Sequence, residues 1–208
     1  MILYRSVRWL LTSLCRLFWR VRVVGLEHVP AEGVYIVAPS HRSALDIPFA
    51  AFVTTRRLRF MAKQEIFATR LGRSFFTAMG AIKVDRGSTD RGALRASLTA
   101  LREGEPLVIF PEGTRREGPE IIDLYDGCAY LASKLDVPLI PVGVGGSGEI
   151  KPTGARWPRF PRVVVVVGPP ILPRSEPGLR RRSVVRGLTE ELRVALQTCF
   201  DDAQARSR

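Results

Sequence analysis

The amino-acid sequence predicts an α/β fold: one domain with a mixed, largely parallel β-sheet covered by helices, and an amphipathic helix at the N-terminus. Short runs of β-branched residues alternate with segments of helical length and composition, which is typical of such folds. The strand-like runs are apolar throughout, as expected for strands buried on both faces. The chain has 208 residues, which suits a single domain of roughly 150 residues with a short appendage.

The first 24 residues predict an amphipathic helix. One face is apolar and the other is basic; they contain, respectively, Leu3, Val7, Leu10, Leu11, Leu14 and Phe18, and Arg5, Arg8, Thr12, Arg16 and Arg20. The longest uncharged run is far shorter than the roughly 20 residues that a membrane-spanning helix requires. Two interpretations remain: the apolar face packs on the protein's own core, or it lies in the surface of an anionic membrane with the arginines on lipid phosphates. The absence of acidic residues favours the membrane.

Six strands and five further helices are predicted after this segment. The strands are expected at residues 34–38, 58–62, 81–84, 107–110, 139–144 and 163–167. The helices are expected at residues 44–54, 64–79, 88–102, 123–135 and 180–200. The longest irregular stretch is expected at residues 145–161.

The chain is strongly basic, with 32 Lys and Arg residues against 20 Asp and Glu residues and a formal net charge of +12. All but four of the cations are arginines, whose planar guanidinium suits phosphate. This charge favours a nucleic acid, an anionic membrane or a phosphorylated substrate as partner. We do not expect nucleic acid, because aromatic residues make up only 8% of the chain and no basic stretch interleaved with aromatic residues is present.

Several metal-binding and catalytic motifs are missing from the sequence. The three cysteines lie far apart without a Cys-x-x-Cys pair, which argues against a structural zinc site or a disulfide framework. No P-loop, dinucleotide-binding glycine motif or nucleophile elbow is present. The only histidines are His28 and His41, and His28 lies in a predicted surface turn. We therefore expect no metal site.

Polar residues follow three of the predicted strands, where α/β sheets bind ligands. His41 comes directly after the strand at 34–38 and precedes Asp46 by five residues. A carboxylate on one ring nitrogen would fix the tautomer and let the other nitrogen remove a proton from a hydroxyl. The alternative is that Asp46 only completes a helix cap with Ser43. The other two strands end in Asp85-Arg-Gly87 and in Glu112-Gly-Thr-Arg115, which offer cations and backbone donors to a phosphate.

Four blocks, in this order, resemble those of the glycerolipid acyltransferases: His41-x4-Asp46, Val84-Asp-Arg-Gly87, Phe110-Pro-Glu-Gly-Thr-Arg115 and Val137-Pro-Leu-Ile-Pro141. The sequence is most similar to the 1-acylglycerol-3-phosphate acyltransferase (PlsC-like) family, from about Gly25 to Pro170. Ser40 departs from the family's usual Asn, and Tyr125-Asp126 replaces a basic pair that is common there.

The resemblance implies transfer of an acyl chain from a thioester, acyl-CoA or an acyl carrier protein, to the sn-2 hydroxyl of a lysophospholipid, 1-acylglycerol-3-phosphate. The product would be phosphatidic acid for phospholipid biosynthesis, and no bound cofactor is implied. By the same resemblance His41 is the general base and Asp46 orients it. The acceptor's phosphate and glycerol would lie against Arg86, Gly87, Glu112, Gly113, Thr114 and Arg115, and the acyl or donor side against Pro141.

The predicted N-terminal helix and the resemblance to acyltransferases together imply how the chain divides into domains and where the protein lies in the cell. Residues 1–24 would form a membrane-associating helix and residues 25–208 the catalytic domain. A membrane-embedded acceptor places the enzyme at the cytoplasmic face of the cell membrane, as a peripheral or monotopic protein. Two alternatives stay open: the same reaction on glycerol-3-phosphate, another lysophospholipid or a phosphorylated glycolipid, and a non-catalytic basic module that binds membranes.

Overall fold

The computed structural model describes residues 2–84, 91–152, 154–173 and 181–208, without the side chains of Lys63, Arg91 and Arg181. Its strands are β1 (Arg22–Val24), β2 (Ile36–Pro39), β3 (Arg59–Lys63), β4 (Ala81–Val84), β5 (Leu107–Val108), β6 (Leu139–Gly145) and β7 (Val164–Val167). Its α-helices are α1 (Ile2–Trp19), α2 (Asp46–Ala50), α3 (Arg70–Ala78), α4 (Arg91–Arg102), α5 (Gly127–Leu135) and α6 (Arg181–Ser207). Short 3-10 helices cover Leu26–His28, Gln64–Phe67 and Ser147–Glu149.

The seven strands form one sheet in the order β1-β7-β6-β2-β5-β3-β4. All neighbouring strands are parallel except β6 and β7, which are antiparallel. The predicted mixed, largely parallel sheet is therefore confirmed. Because β7 runs against β6, the segment between them returns to the edge of the sheet where β2 and β6 end. The loop that follows β2 lies at this same edge.

The predicted elements and the observed ones differ mainly at their ends. The helix expected at 64–79 is two elements, because Thr69 interrupts it and caps α3 by accepting a hydrogen bond from the Gly72 amide at 3.0 Å. The helix expected at 44–54 is limited to α2, and α6 continues past residue 200 to Ser207. Strand β1 lies inside the segment 1–24 that was expected to be helical, and α1 ends earlier, at Trp19; the three residues of β1 are too few to make a strand pattern of their own.

Helices cover both faces of the sheet, and alternate residues of each strand face opposite sides. Ile36 and Ala38 of β2 pack with α4, α5 and α6, while Val37 packs with α1 and α2. Helix α6 lies very close to β6: a Cβ atom on Gly143 would be 2.1 Å from the Cys199 carbonyl oxygen. Glycine is required there because the backbones of the helix and the strand touch.

Arg8 and Thr12 of the basic face of α1 dock on the protein, whereas Arg5 and Arg16 of that face and Arg20 just after the helix are exposed, as are most of the helix's apolar side chains. Tyr4, Thr12 and Cys15 are buried, and Arg8 donates hydrogen bonds to the carbonyl oxygens of Ala51 at 2.9 Å and Thr54 at 2.7 Å. Eight large apolar side chains of α1 are exposed; besides Trp9 and Leu11 they are Ile2, Leu3, Leu10, Leu14, Leu17 and Phe18, which we call the α1 stripe.

This orientation corrects two expectations about the N-terminal helix. The apolar face does not pack on the core, and Arg8 and Thr12 face the protein rather than lipid phosphates. The pattern could not show this, because Arg8 satisfies backbone carbonyls that only the folded chain brings to it. Among the described residues, no helix is both long enough and apolar enough to cross a membrane.

The contact between β6 and α6 predicts opposite effects for two glycine-to-alanine substitutions. We expect Gly143→Ala to lower the free energy of unfolding by about 1–3 kcal/mol or more, because the new methyl group meets backbone atoms that cannot move aside. Gly187→Ala on α6, where nothing lies within 4 Å, should raise it by about 0.5–1 kcal/mol. Urea unfolding followed by circular dichroism measures both, and equal effects would contradict the close packing.

Candidate functional site

The imidazole of His41 is paired with the carboxylate of Asp46. His41 Nδ1 lies 3.1 Å from Asp46 Oδ2, and the two side chains are 11% and 0% exposed, respectively. Because a carboxylate only accepts hydrogen bonds, this contact places the proton on Nδ1. The other ring nitrogen, Nε2, keeps its lone pair and has no hydrogen-bond partner among the described residues. The arrangement is that of an imidazole held ready to accept a proton.

Asp46 also organises the turn that carries His41. Its Oδ2 accepts hydrogen bonds from the backbone amides of Arg42 and Ser43, each at 2.6 Å. The bond from the Ser43 amide to the Asp46 carboxylate, expected for a cap, is therefore present together with ring orientation on one carboxylate oxygen, although α2 begins at Asp46 without a side-chain cap from Ser43. The same carboxylate holds both the turn before α2 and the His41 ring.

The backbone of His41 is held on both sides by the segment after β5. Its amide donates to Glu112 Oε1 at 2.8 Å, and its carbonyl oxygen accepts from the Arg116 amide at 2.9 Å. The Phe110 ring packs on the imidazole with their centroids 4.2 Å apart. Two blocks separated by about 70 residues are thus locked to each other around this histidine.

Glu112 makes a buried ion pair with Arg42 that no sequence pattern indicated. Arg42 Nη1 lies 2.7 Å from Glu112 Oε2, and the side chains are 5% and 1% exposed. Arg42 also donates to the carbonyl oxygens of Gly118 and Glu120, each at 3.0 Å, and its guanidinium lies over the Phe200 ring. The arginine therefore joins the His41 turn, the segment after β5 and α6.

An apolar cavity of about 580 Å³ opens beside His41, within the roughly 300–1,000 Å³ typical of small-molecule sites. It lies between α1, α2, β3 and α3, and its apolar walls include Val7, Leu11, Ile47, Phe60, Phe75 and Met79. Polar groups on its lining include the His41 ring and the side chains of Arg8 and Arg115. Its shape and chemistry suit an extended apolar group whose reactive end reaches His41.

Of the other residues predicted to bind the acceptor's phosphate and glycerol, some lie on the surface near Arg115 and some lie outside the described residues. Gly113 and Thr114 are exposed next to Arg115, and Gly113 has a φ of +68°, which favours glycine. The ring of Tyr125 lies so close to Gly113 that a Cβ atom there would be 2.5 Å from it. Arg86 and Gly87 lie outside the described residues.

Pro141 does not line the cavity. It is buried in β6, where its carbonyl oxygen accepts from the Gly168 amide at 2.9 Å and lies 3.9 Å from Cys199 Sγ. The expectation that it lines the acyl or donor side is therefore not supported, because in β6 it packs towards α6. Ser40, directly before His41, makes a tertiary contact: its Oγ accepts a hydrogen bond from the Val144 amide of β6 at 3.0 Å.

The three cysteines are buried and free. Burial raises the pKa of Cys15 and Cys199 to about 11 and that of Cys128 to about 12. All three thiols are therefore protonated near neutral pH and are poor nucleophiles. Within the described ranges, no cluster of three or more His, Cys, Asp or Glu residues could hold a metal ion.

Comparisons with known proteins match the family and the fold. A family model described as Acyltransferase matches residues 20–145. The 1-acyl-sn-glycerol-3-phosphate acyltransferase of Bacillus subtilis (strain 168) is 26% identical over 173 residues, 83% of this chain and 84% of that protein. That of Chlamydomonas reinhardtii is 29% identical over 163 residues, 76% of this chain and 48% of that protein. The crystal structure of the 1-acyl-sn-glycerophosphate acyltransferase PlsC from Thermotoga maritima matches with a TM-score of 0.70 and 25% identity, covering 98% of this chain and 83% of that one.

The buried pair of Arg42 and Glu112 predicts a strong effect on stability. We expect Glu112→Leu to lower the free energy of unfolding by about 3 kcal/mol, because the Arg42 charge is left buried without its partner. The double variant Arg42→Met/Glu112→Leu should lose less than the sum of the two single variants, as expected for residues in contact. Urea unfolding of the four proteins measures this coupling.

The control for this cycle is Asp202→Asn, which breaks the exposed ion pair with Arg206. It should change the free energy of unfolding by about 1 kcal/mol or less. Additive effects of the Arg42 and Glu112 substitutions would contradict the pairing.

Proposed function

Because the chain belongs to the acyltransferase family, we propose that it moves an acyl chain from a thioester to the sn-2 hydroxyl of 1-acylglycerol-3-phosphate, giving phosphatidic acid. The observation that carries the proposal is the contact of His41 Nδ1 with Asp46 Oδ2 at 3.1 Å beside an apolar cavity. The relatives in Bacillus subtilis and Chlamydomonas reinhardtii are named for this reaction. Acyl-CoA or an acyl carrier protein would supply the thioester.

His41 would act as the general base in a direct transfer. Its Nε2 removes the proton of the acceptor hydroxyl while the hydroxyl oxygen attacks the thioester carbonyl carbon. The tetrahedral intermediate then breaks its carbon–sulfur bond, and the thiolate leaves and takes up the proton from the imidazolium. No acyl-enzyme is needed, which agrees with three buried, protonated cysteines. Asp46 would orient the ring and stabilise the imidazolium.

Two regions would hold the substrates on either side of His41. The apolar cavity would take an acyl chain, because its walls are aliphatic and aromatic side chains of α1, α2, β3 and α3. Arg115 lines the cavity beside the histidine and would bind the acceptor's phosphate, with Thr114 and Gly113 next to it. Arg86 and Gly87, which the resemblance assigns to the same phosphate, lie outside the described residues.

Glu112 would position the base rather than bind the acceptor. Both of its oxygens are engaged by Arg42, and Oε1 also accepts from the His41 amide. A carboxylate occupied in this way has little capacity left for glycerol hydroxyls and would repel a phosphate.

Binding to an anionic membrane is the remaining part of the proposal. The α1 stripe presents six apolar side chains that are 39–84% exposed, and the cavity begins beneath the same helix at Val7 and Leu11. A helix that lies in the lipid surface would let a lysophospholipid reach His41 without leaving the bilayer. The protein would then be peripheral or monotopic at the cytoplasmic face of the cell membrane.

His41→Ala tests the role of the base, and the other histidine gives a matched control. We expect His41→Ala to lower kcat/KM about 10²–10⁴-fold, because proton removal from the hydroxyl is lost. His28→Asn should stay close to the parent protein, since His28 lies 2.8 Å from the Val167 carbonyl oxygen, outside the candidate site. Purified protein is given acyl-CoA or acyl carrier protein thioesters, and products are read by mass spectrometry.

The same assay separates the alternatives by offering 1-acylglycerol-3-phosphate, glycerol-3-phosphate and another lysophospholipid together. Product from the first supports the proposal, and product from another acceptor alone contradicts the assignment of the substrate. Activity retained by His41→Ala would refute the base, and a parent protein inactive on every acceptor would point to a non-catalytic module.

The α1 stripe predicts the result of a vesicle-binding experiment. We expect the triple variant Leu3→Gln/Leu10→Gln/Leu17→Gln to bind phosphatidylglycerol vesicles at least about 100-fold more weakly, because three side chains no longer enter the apolar layer. Ile122→Gln/Leu172→Gln/Val194→Gln removes three side chains of similar exposure outside α1 and should bind as the parent does. Flotation with vesicles measures the binding of both variants. If the two variants bind equally well, the α1 stripe is not the membrane-binding surface.

A further inference from the structure

The segment between the last two strands carries two exposed aromatic side chains next to the end of α1. Trp157 is 79% exposed and Phe160 is 51% exposed. The Phe160 ring packs on Phe18 of the α1 stripe, with the centroids 5.4 Å apart, and on Trp19 at 5.7 Å. The apolar surface of α1 therefore continues across a tertiary contact into this segment.

Backbone contacts hold the segment against the helix. Trp19 Nε1 donates to the Arg159 carbonyl oxygen at 3.1 Å, and Arg20 donates to that of Phe160 at 3.3 Å. The Arg159 amide in turn donates to the Ile150 carbonyl oxygen. These contacts position Phe160 beside the helix while leaving half of its surface, and most of Trp157, without protein cover.

All charged residues of the segment are basic. Residues 150–162 contain four cations, Lys151, Arg156, Arg159 and Arg162, and no acidic residue. All four are exposed, and none forms an ion pair with the described residues. The nearest acidic residue before it in sequence is the exposed Glu149.

We propose that residues 154–162 form a second contact with an anionic bilayer, in which Trp157 and Phe160 enter the headgroup region and the flanking arginines bind lipid phosphates. The inference rests on the proposed membrane association of α1, and it adds residues 154–162 as a second surface that binds the bilayer. Tryptophan at headgroup level, an apolar ring beside it and flanking cations are typical of side chains at the interface of an anionic membrane.

The position of the segment gives this contact a consequence for substrate entry. Val164, at the start of β7, pairs with Gly145 at the end of β6, so the segment lies at the edge of the sheet where β2 ends and the His41 turn begins. With α1 alone on the lipid, the protein could rotate about the helix axis. A second contact beyond the helix end would fix this rotation, so that the candidate site faces the bilayer at a constant angle.

An anionic bilayer suits the segment better than an acidic protein does, because the exposed ring of Phe160 adjoins the α1 stripe and one extended apolar layer can receive both surfaces. The alternative is kept as an outcome of the test.

Tryptophan fluorescence tests the contact directly. The chain has three tryptophans, so the difference in emission between Trp9→Phe and Trp9→Phe/Trp157→Phe isolates Trp157 while the Trp19 contact with Arg159 is kept. With phosphatidylglycerol vesicles we expect a blue shift of its emission and quenching by brominated acyl chains. No response of Trp157 on vesicles that bind the protein through α1 would overturn the inference and leave the membrane association intact. A response to purified acyl carrier protein but not to vesicles would also overturn it.

Binding by substituted proteins gives a second, independent readout. Arg156→Glu/Arg159→Glu should weaken binding to phosphatidylglycerol vesicles about fivefold or more for each charge, and far less on phosphatidylcholine vesicles. The matched control, Arg95→Glu/Arg102→Glu on α4, should bind as the parent does.

The aromatic pair is tested in the same way. Trp157→Ala/Phe160→Ala should weaken binding to both vesicle types, whereas Ile122→Ala/Leu172→Ala should not. If only the α1 stripe variant loses vesicle binding, the second contact is refuted. If the parent protein binds no vesicles, membrane association is refuted as well.

Discussion

The buried carboxylates on either side of His41 hold the candidate site together. Asp46 fixes the imidazole ring and the turn that carries it, and Glu112 fixes the His41 amide through a segment that is distant in sequence. Buried charge is costly unless it is paired: Arg42 pairs with Glu112, whereas Asp46 accepts three hydrogen bonds on Oδ2 and its buried Oδ1 has no partner among the described residues. Breaking any one of the contacts made by Glu112 or by Asp46 Oδ2 would leave a charge, the imidazole or a backbone amide without that partner, which favours a fixed position of the His41 ring.

The chain uses one amphipathic helix for two surfaces. On one side of α1, Arg8 donates hydrogen bonds to carbonyl groups at and after the end of α2. On the other side, the apolar side chains are exposed. An arginine can dock a helix because its long stem packs on apolar surface while its guanidinium finds several acceptors. The same helix also lines the cavity beside His41. The proposed lipid-binding surface and the proposed acyl site therefore lie on two sides of one helix.

Much of the fold could be predicted because its signals are local. Each predicted strand overlaps an observed one, since a run such as Val163–Val167 has few alternatives to a buried strand. The ends of the helices agreed less well, as at α3, whose start is set by the side-chain cap of Thr69. The glycines at 143 and 145 have no local signal: their role depends on α6, which approaches β6 from more than 50 residues further along the chain.

The sequence alone determined the α/β class and the resemblance to acyltransferases, which implied the pairing of His41 with Asp46. The residues themselves left a purely capping role for Asp46 open, because a carboxylate five residues further along can reach either the ring or the backbone amides of the turn. Only the tertiary structure decided that Glu112 faces Arg42, that Pro141 packs away from the cavity, and which face of α1 is exposed. Helical periodicity separates two faces but does not say which one docks. Contacts between distant segments depend on how the whole sheet closes, and no local pattern records them.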